Sequence, residues 1–508
     1  MKAPPADEGL FAAIRAAMPD TGRVFLRLAD GRILTYGDML ARSGQFANLF
    51  RSIGVRPGDR LAAQVEKSPE ALLLYLACLR MGAVYLPLNP AYTPAEMEYF
   101  LGDAEPACVV VSSAKQSVTK RLLRDGTTLL NLDKDGRSGS LVERARGVQG
   151  GFHDVPRSAD DLAAILYTSG TTGRSKGAML TQRNLVSNAR ALCDLWRFTR
   201  ADVLLHALPI YHTHGLFTAT NTILLAGGSM ILLPKFGVEE IFAQLPHATT
   251  MMGVPTFYTR LLADRRLGRR AVAHMRLFVS GSAPLLAETH RAWFARTGHA
   301  ILERYGMTET NMIASNPYDG ERIAGTVGFP LPGVDLHIAD PETGASLAAG
   351  EIGMIELRGP NVFKGYWRKA EQTQAAFRAD GFFITGDLGK IDESFYLHIV
   401  GRAKDLVISG GFNVYPREIE VEIDALAGVL ESAVIGAPHP DLGEAVTAIV
   451  VCKPGSAICE ADVLAALGER LARFKLPRRV FFVDDLPRNA MGKVKKNSLR
   501  EIYRDLFV

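Results

Sequence analysis

An α/β fold is predicted by two features of the sequence. Short apolar runs alternate with segments whose apolar residues recur at helical spacing, the texture of layered, mostly parallel sheets. Near residues 401–404 that texture changes: a glycine- and turn-rich β segment gives way to a small unit of mixed helix and strand. Length agrees, since 508 residues exceed one core and suggest roughly three to four folding units.

In chain order, residues 38–53 carry helical periodicity and 60–65 read as a strand. Residues 70–82 read as helix, 83–88 as extended chain, and 107–111 and 162–167 as buried strands bounded by turn signals. The stretch 133–161 is polar and glycine-containing, a loop or connection. Residues 275–279 read as a strand, 286–297 as a helix, and 350–398 as a β-rich region. Beyond the boundary, 417–435 and 458–474 read as helical and 446–451 as a strand.

Composition narrows the function classes. Apolar residues are 47% and charged residues 22%, so the chain is globular rather than disordered. A net charge of +4 over this length predicts no nucleic-acid partner. The apolar stretches 222–234 and 72–88 are too short or interrupted by Arg80, so no membrane association is expected. The first residues, MKAPPADEGLF, lack the apolar core of a signal peptide, and five scattered cysteines without a CxxC pair suit a reducing, cytoplasmic location.

The most informative segment is Thr168-Ser169-Gly170-Thr171-Thr172-Gly173-Arg174-Ser175-Lys176-Gly177, directly after the strand 162–167. Glycines let backbone amides approach an anion, hydroxyls donate, and Lys176 adds charge, which is phosphate-cradling chemistry. The spacing matches neither a Walker loop nor GxGxxG. Further along come Leu208-Pro209-Ile210-Tyr211-His212, Gly281-Ser282-Ala283-Pro284, Tyr305-Gly306-Met307-Thr308-Glu309, Gly365-Tyr366-Trp367, Thr385-Gly386-Asp387, Gly401-Arg402-Ala403-Lys404-Asp405 and Pro487-Arg488-Asn489-Ala490-Met491-Gly492-Lys493.

In this order the residues resemble the adenylate-forming, AMP-binding superfamily of acyl-CoA synthetases, aryl-CoA ligases, luciferases and peptide-synthetase adenylation domains. The resemblance covers nearly the whole chain. It implies a large N-terminal domain of α/β subdomains plus a β-barrel (residues 1–401), a hinge (402–404) and a small mobile α+β domain (405–508). It implies ATP, Mg²⁺ and coenzyme A as cofactors and co-substrates.

Site roles follow from the same resemblance. Thr168, Ser169, Gly170, Thr171, Thr172, Gly173 and Lys176 would cradle phosphates. Thr308 would bond the α-phosphate, and Glu309 would hold Mg²⁺, because a carboxylate beside a polyphosphate otherwise repels it. Tyr305 would stack on adenine against Gly281, Ser282 and Ala283, while Asp387 and Arg402 would take the ribose. Lys493 would bridge the acid's carboxylate and the α-phosphate. Lys404 would act as hinge, with Gly410 and Gly411 beside the CoA channel. A lysine acetyltransferase is a further implied partner, acting on Lys493.

His212 and His214 form an HxH pattern, but no third metal ligand accompanies them and Mg²⁺ prefers oxygen. The resemblance sets His212 beside the acyl carboxylate, with His214 and Met307 lining the acyl pocket. Arg304 departs from the family's usual glycine before the Tyr-Gly-Met-Thr-Glu motif. It fills pocket volume and offers a bidentate carboxylate partner, so a short dicarboxylic acid fits. The combination most resembles the malonate-activating branch of the family, with methylmalonate also admissible. The alternatives are the same two steps on a short monocarboxylic or aryl acid, an adenylation module loading a carrier protein, for which no carrier segment follows Lys493, or a nucleotide-binding regulator.

Overall fold

The computed structural model describes residues 9–168, 175–489 and 492–507. Two large sheets dominate the N-terminal part. In the six-stranded sheet the order is Thr128–Asn131, Cys108–Val111, Arg60–Gln64, Val84–Pro87, Leu162–Thr168, Lys176–Thr181. Every neighbouring pair is parallel except the last. That last hairpin sets Thr168 opposite Lys176, so both stems of the phosphate-type segment are fixed by sheet register.

The nine-stranded sheet has a parallel centre, with Leu302–Met307, Leu277–Ser280, Thr250–Gly253, Val203–His206 and Ser229–Leu232 side by side. Leu277–Ser280 and Thr250–Gly253 are buried throughout, as expected for strands covered on both faces. The carboxyl ends of these strands lead into the motif loops at His212, Gly281 and Thr308. This is where open parallel sheets bind ligands.

Local chemistry defines the helices. Pro69–Met81 is buried along its whole length. Ser68 caps its start, Pro69 occupies the first turn, and Gly82 ends it at φ 76°. The buried Arg80 guanidinium is neutralised by Asp154 and donates to the Leu40 and Phe152 carbonyls.

The segment expected to be β-rich forms a four-stranded antiparallel sheet, Asp335–Ala339, Gly353–Arg358, Phe383–Ile391 and Leu397–Arg402. Ala403–Asp405 forms a 3₁₀ turn after it. The C-terminal unit then builds its own core from Val407, Val414, Ile419, Val434, Val446 and Val463.

Three expectations need correction, the first being the helix expected over 458–474, which ends at Gly468 and is followed by a 3₁₀ turn at Arg473–Lys475. The loop 133–161 contains a short helix, Ser140–Ala145, too brief to show periodicity. The helix expected over 417–435 stops at Asp424, and Val429–His439 is a strand of eleven residues. Gly428, at φ 90°, lies in the turn that connects them. The strand is held by Gly443–Cys452, a pairing the local pattern does not reveal. Among the described residues no helix is long and apolar enough to cross a membrane.

Asn184 joins the phosphate-segment sheet to the loop that carries Gly365-Tyr366-Trp367. It completes a capping box with Thr181, and its amide donates to the Pro360 and Val362 carbonyls at 2.9 and 2.7 Å. Asn184→Ala should lose about 3 kcal/mol of stability, whereas Asn184→Asp, which keeps the cap, should lose less. Chemical denaturation of both variants checks this; equal losses would mean the cap contributes nothing, and an unchanged Asn184→Asp would mean the Pro360–Val362 tie contributes nothing.

A cationic interdomain cavity with three compartments

An 830 Å³ cavity opens between the two sheets, the antiparallel sheet and the C-terminal unit. Among its described lining residues, Lys and Arg outnumber carboxylates seven to two. Such a wall in a partly enclosed space suits a polyanion. A 490 Å³ compartment continues from it, sharing Ser282, Arg304, Arg402 and Lys493.

The phosphate end rests on the Thr168–Lys176 hairpin; both residues line the cavity. Ser169, Gly170, Thr171, Thr172, Gly173 and Arg174 lie outside the described residues. Tyr99 donates to the Ser175 carbonyl and Tyr167 to Asp103, so one helix, Pro94–Ala104, braces both stems. The Lys176 ammonium sits 4.8 Å from the centre of the Tyr366 ring. Thr308 and Glu309 face the same space. Glu309 is buried, its Oε1 accepts the Tyr366 hydroxyl at 3.0 Å, and burial raises its pKa.

These donors fit Mg²⁺. Among the described residues no group of three His, Cys, Asp or Glu could form a protein-only metal cage. One carboxylate and a hydroxyl beside a phosphate site match a cation that takes its remaining oxygens from phosphate and water. Among the described residues no third His, Cys, Asp or Glu joins His212 and His214.

At the nucleoside end, Asp387 and Arg402 face each other on paired strands and form an ion pair at 2.6 Å. Asp387 also accepts the Tyr305 hydroxyl. Its oxygens are therefore oriented before any sugar arrives. Ser282 and Ala283 line the adjoining compartment as expected. Gly281 does not; it lies beneath Arg304, where an added Cβ would stand 2.4 Å from the guanidinium carbon. The glycine is thus a platform for the arginine rather than a wall for adenine.

The third compartment is defined by Arg304, 3% exposed in the middle of strand Leu302–Met307. Its Nε and Nη2 have no hydrogen-bond partner. Glu303, its neighbour, does not pair with it: Glu303 Oε1 accepts the Leu285 amide, and Oε2 is unpartnered. Burial lowers the Arg304 pKa to about 9, so it remains a cation at neutral pH. A buried, unpaired guanidinium is costly unless an anion meets it.

His212 and Met307 line the same cavity. Burial, then the Arg304 charge, lowers the His212 pKa to about 4, so this imidazole is neutral. His214 is set one layer back instead of lining the pocket. It is fully buried, and its Nδ1 meets the Ser282 hydroxyl at 3.1 Å. That contact supports Ser282 at φ 72°, an uncommon conformation for a non-glycine residue.

From the C-terminal unit, Lys493 reaches the cavity and is open to it, although protein surrounds it. Desolvation and the nearby Arg402 charge lower its pKa. Its turn is held by Arg488, which donates to the Gly492 carbonyl and pairs with Glu431. Ala490 and Met491 lie outside the described residues. Lys404 also lines the cavity, within the 3₁₀ turn. Gly410 and Gly411 do not. They form the exposed tip of a hairpin, Val407–Ser409 with Phe412–Val414, both at positive φ as a two-residue hairpin turn demands.

Several contributors lay beyond sequence reasoning. Lys67 is buried and donates to the His206 and Leu208 carbonyls at 2.8 Å, holding the segment that leads to His212. Tyr366 reaches Glu309, and Glu303, with one buried oxygen unpartnered, lines the adjoining compartment. In the sequence Glu303 is marked only by its place beside Arg304 on the strand Leu302–Met307.

Burial pushes the Glu303 carboxyl up to about 7 from an ordinary 4.5. The folded protein therefore keeps this proton where the unfolded chain has released it. Stability falls as pH rises between those two values, by about 3 kcal/mol in all. Glu303→Gln should gain on the parent toward pH 8 and lose that gain near pH 5. Denaturation midpoints at the two pH values check this; a constant offset would contradict it.

Comparison with known proteins agrees with this geometry. The AMP-binding enzyme family matches residues 14–367, and the AMP-binding enzyme C-terminal domain matches residues 418–493. ATP-bound MatB from Rhodopseudomonas palustris is 59% identical and superimposes with a TM-score of 0.97, covering 99% of this chain and 100% of that one. The apo form of MatB gives 0.85 at the same identity and coverage. Malonate–CoA ligase of Arabidopsis thaliana is 33% identical over 96% of this chain and 88% of its own length. Feruloyl-CoA synthase of a Streptomyces species is 36% identical over 92% and 94%. With both of its domains matched in sequence and the whole chain matched in structure, the protein belongs to the AMP-binding family of adenylate-forming enzymes.

Proposed function

We propose that the chain is an ATP-dependent acid–CoA ligase that activates malonate. The observation that carries the choice of acid is the buried, unpaired Arg304 guanidinium in the acyl compartment. Relatives of similar identity act, by name, on both malonate and an aryl acid, so family membership does not select the acid. The 59% identity with MatB supports the malonate reading.

In the first step one malonate oxygen attacks the ATP α-phosphorus and pyrophosphate leaves, giving malonyl-AMP. In the second the CoA thiol, losing its proton, attacks the acyl carbon and AMP leaves. Arg304 would hold the carboxylate that does not react. Neutral His212, which would lie beside the reacting carboxylate, would add no competing positive charge. Lys493 would draw the two anions together and stabilise the charge that develops as they react. Glu309 with Thr308 would hold Mg²⁺, which when bound offsets phosphate charge. Asp387 and Arg402 would fix the ribose.

We further infer that acetylation of Lys493, which would remove its charge, silences adenylation. The five cysteines are free, two of them buried, which supports a reducing, cytoplasmic setting.

Arg304→Gly should cut turnover of malonate by about 10⁴-fold, because a site built for a charged partner discriminates on that scale. Methylmalonate differs by one methyl and should stay within about 10–200-fold of malonate in the parent. Acid-dependent pyrophosphate release with malonate, methylmalonate, butyrate and a cinnamate measures both. Undiminished malonate turnover in the variant would move the reading to a monocarboxylic or aryl acid.

Lys493→Ala should lower adenylation at least about 10²-fold yet spare thioester formation from supplied malonyl-AMP and CoA. Assaying the two half-reactions separately tests it, and equal losses would contradict separate roles.

A further inference from the structure

Gly365-Tyr366-Trp367 is a family motif to which the reaction gives no task. Its backbone lies antiparallel along the strand leaving the phosphate segment. Met179 donates to the Gly365 carbonyl at 2.9 Å and Trp367 to the Gly177 carbonyl at 2.7 Å. The Tyr366 amide donates to Thr373 Oγ1, and the Trp367 indole donates to the Asp103 carbonyl. Tyr366 is 8% exposed, so its ring is held on all sides but the cavity.

That ring stands between opposite charges. One face carries the Lys176 ammonium, and the hydroxyl donates to Glu309 Oε1. Among the described residues, Lys176 has no carboxylate within ion-pair distance, and Glu309 has no cation. An ammonium and a carboxylate in one low-dielectric cavity attract strongly unless something holds them apart. If they paired, the cation intended for phosphate and the carboxylate intended for metal would neutralise each other. The ring's face gives the ammonium a weaker, non-ionic seat.

We propose that Tyr366 is a positioning residue, a spacer that keeps Lys176 and Glu309 from pairing and sets the Glu309 carboxylate for Mg²⁺. The inference rests on the reading of Glu309 as the Mg²⁺ holder.

The test is calorimetric titration of the full-length protein with ATP, once with excess Mg²⁺ and once with EDTA, without acid or CoA. The ratio of the two dissociation constants is the Mg²⁺ response, and melting temperature is followed alongside. Tyr366→Phe keeps the ring and should lower the response about tenfold with little change in melting, as loss of a hydrogen bond to a charged group implies. Tyr366→Leu should lower it further, because Lys176 then competes for Glu309. Adding Lys176→Met to Tyr366→Leu should restore the response to the Phe level, an effect no packing role predicts. A parental response in the Phe variant, or no recovery in the double variant, overturns the proposal. Glu309→Gln separates the two layers: if it abolishes the response while the Tyr366 variants do not, only the spacer fails. If it leaves the response intact, the Mg²⁺ reading and the spacer fall together.

Discussion

The ion pair between Asp387 and Arg402 ties the nucleotide compartment to the domain junction. It forms across two adjacent strands, at the point where the second strand runs into the Ala403–Asp405 turn. Tyr305 joins it through the Asp387 oxygen, so the residue expected against adenine and the residue expected on ribose share one network. The Arg402 charge in turn depresses the Lys493 pKa from across the cavity. Moving the turn would therefore alter the sugar site and the lysine's surroundings together. Asp405, inside the turn, is itself held by Arg500 from the last helix.

Elsewhere the cavity follows the opposite rule. Arg304 is left without a partner, and Lys176 is given only an aromatic face. A buried salt bridge often gains little net energy, but an unpaired buried charge is expensive. The fold meets that cost at Arg304, where a ligand anion is expected, whereas Arg80, equally buried, is fully partnered. The difference separates binding cations from structural ones more reliably than charge alone. It also explains the role of Gly281, whose missing side chain provides the space that Arg304 occupies.

Much of this was legible in the sequence because adenylate-forming chemistry sits in short ordered motifs at strand ends. Thr308, Glu309, Asp387, Arg402 and Lys493 were each marked by a neighbouring motif, and all five line the cavity or its nucleoside extension. What stayed hidden was non-local. Residues 429–435 space their apolar side chains as a helix would, and only pairing with Gly443–Cys452 makes them a strand. His214 sits within a π-helix, His214–Asn221, whose wider turn displaces it from the face its HxH spacing suggests. Lys67 and Tyr366 act on residues more than fifty positions away, and no local pattern encodes such a contact.

The charge balance of the cavity bears on the placement of Lys493, the proposed bridging lysine, on the C-terminal unit. Seven cationic side chains line the space against two carboxylates, and Lys493 is already disfavoured as a cation by desolvation and by Arg402. Bringing Lys493 in before an anion is present adds repulsion to a partly dry site. Once a polyphosphate occupies the cavity the sign of that interaction reverses, and the same approach becomes favourable. After pyrophosphate departs, most of the attracting charge has gone and the hold on Lys493 weakens. If the C-terminal unit moves as the family resemblance implies, Lys493 in its proposed bridging role would respond to the charge state of the reaction itself, which a lysine fixed in the N-terminal sheets could not do.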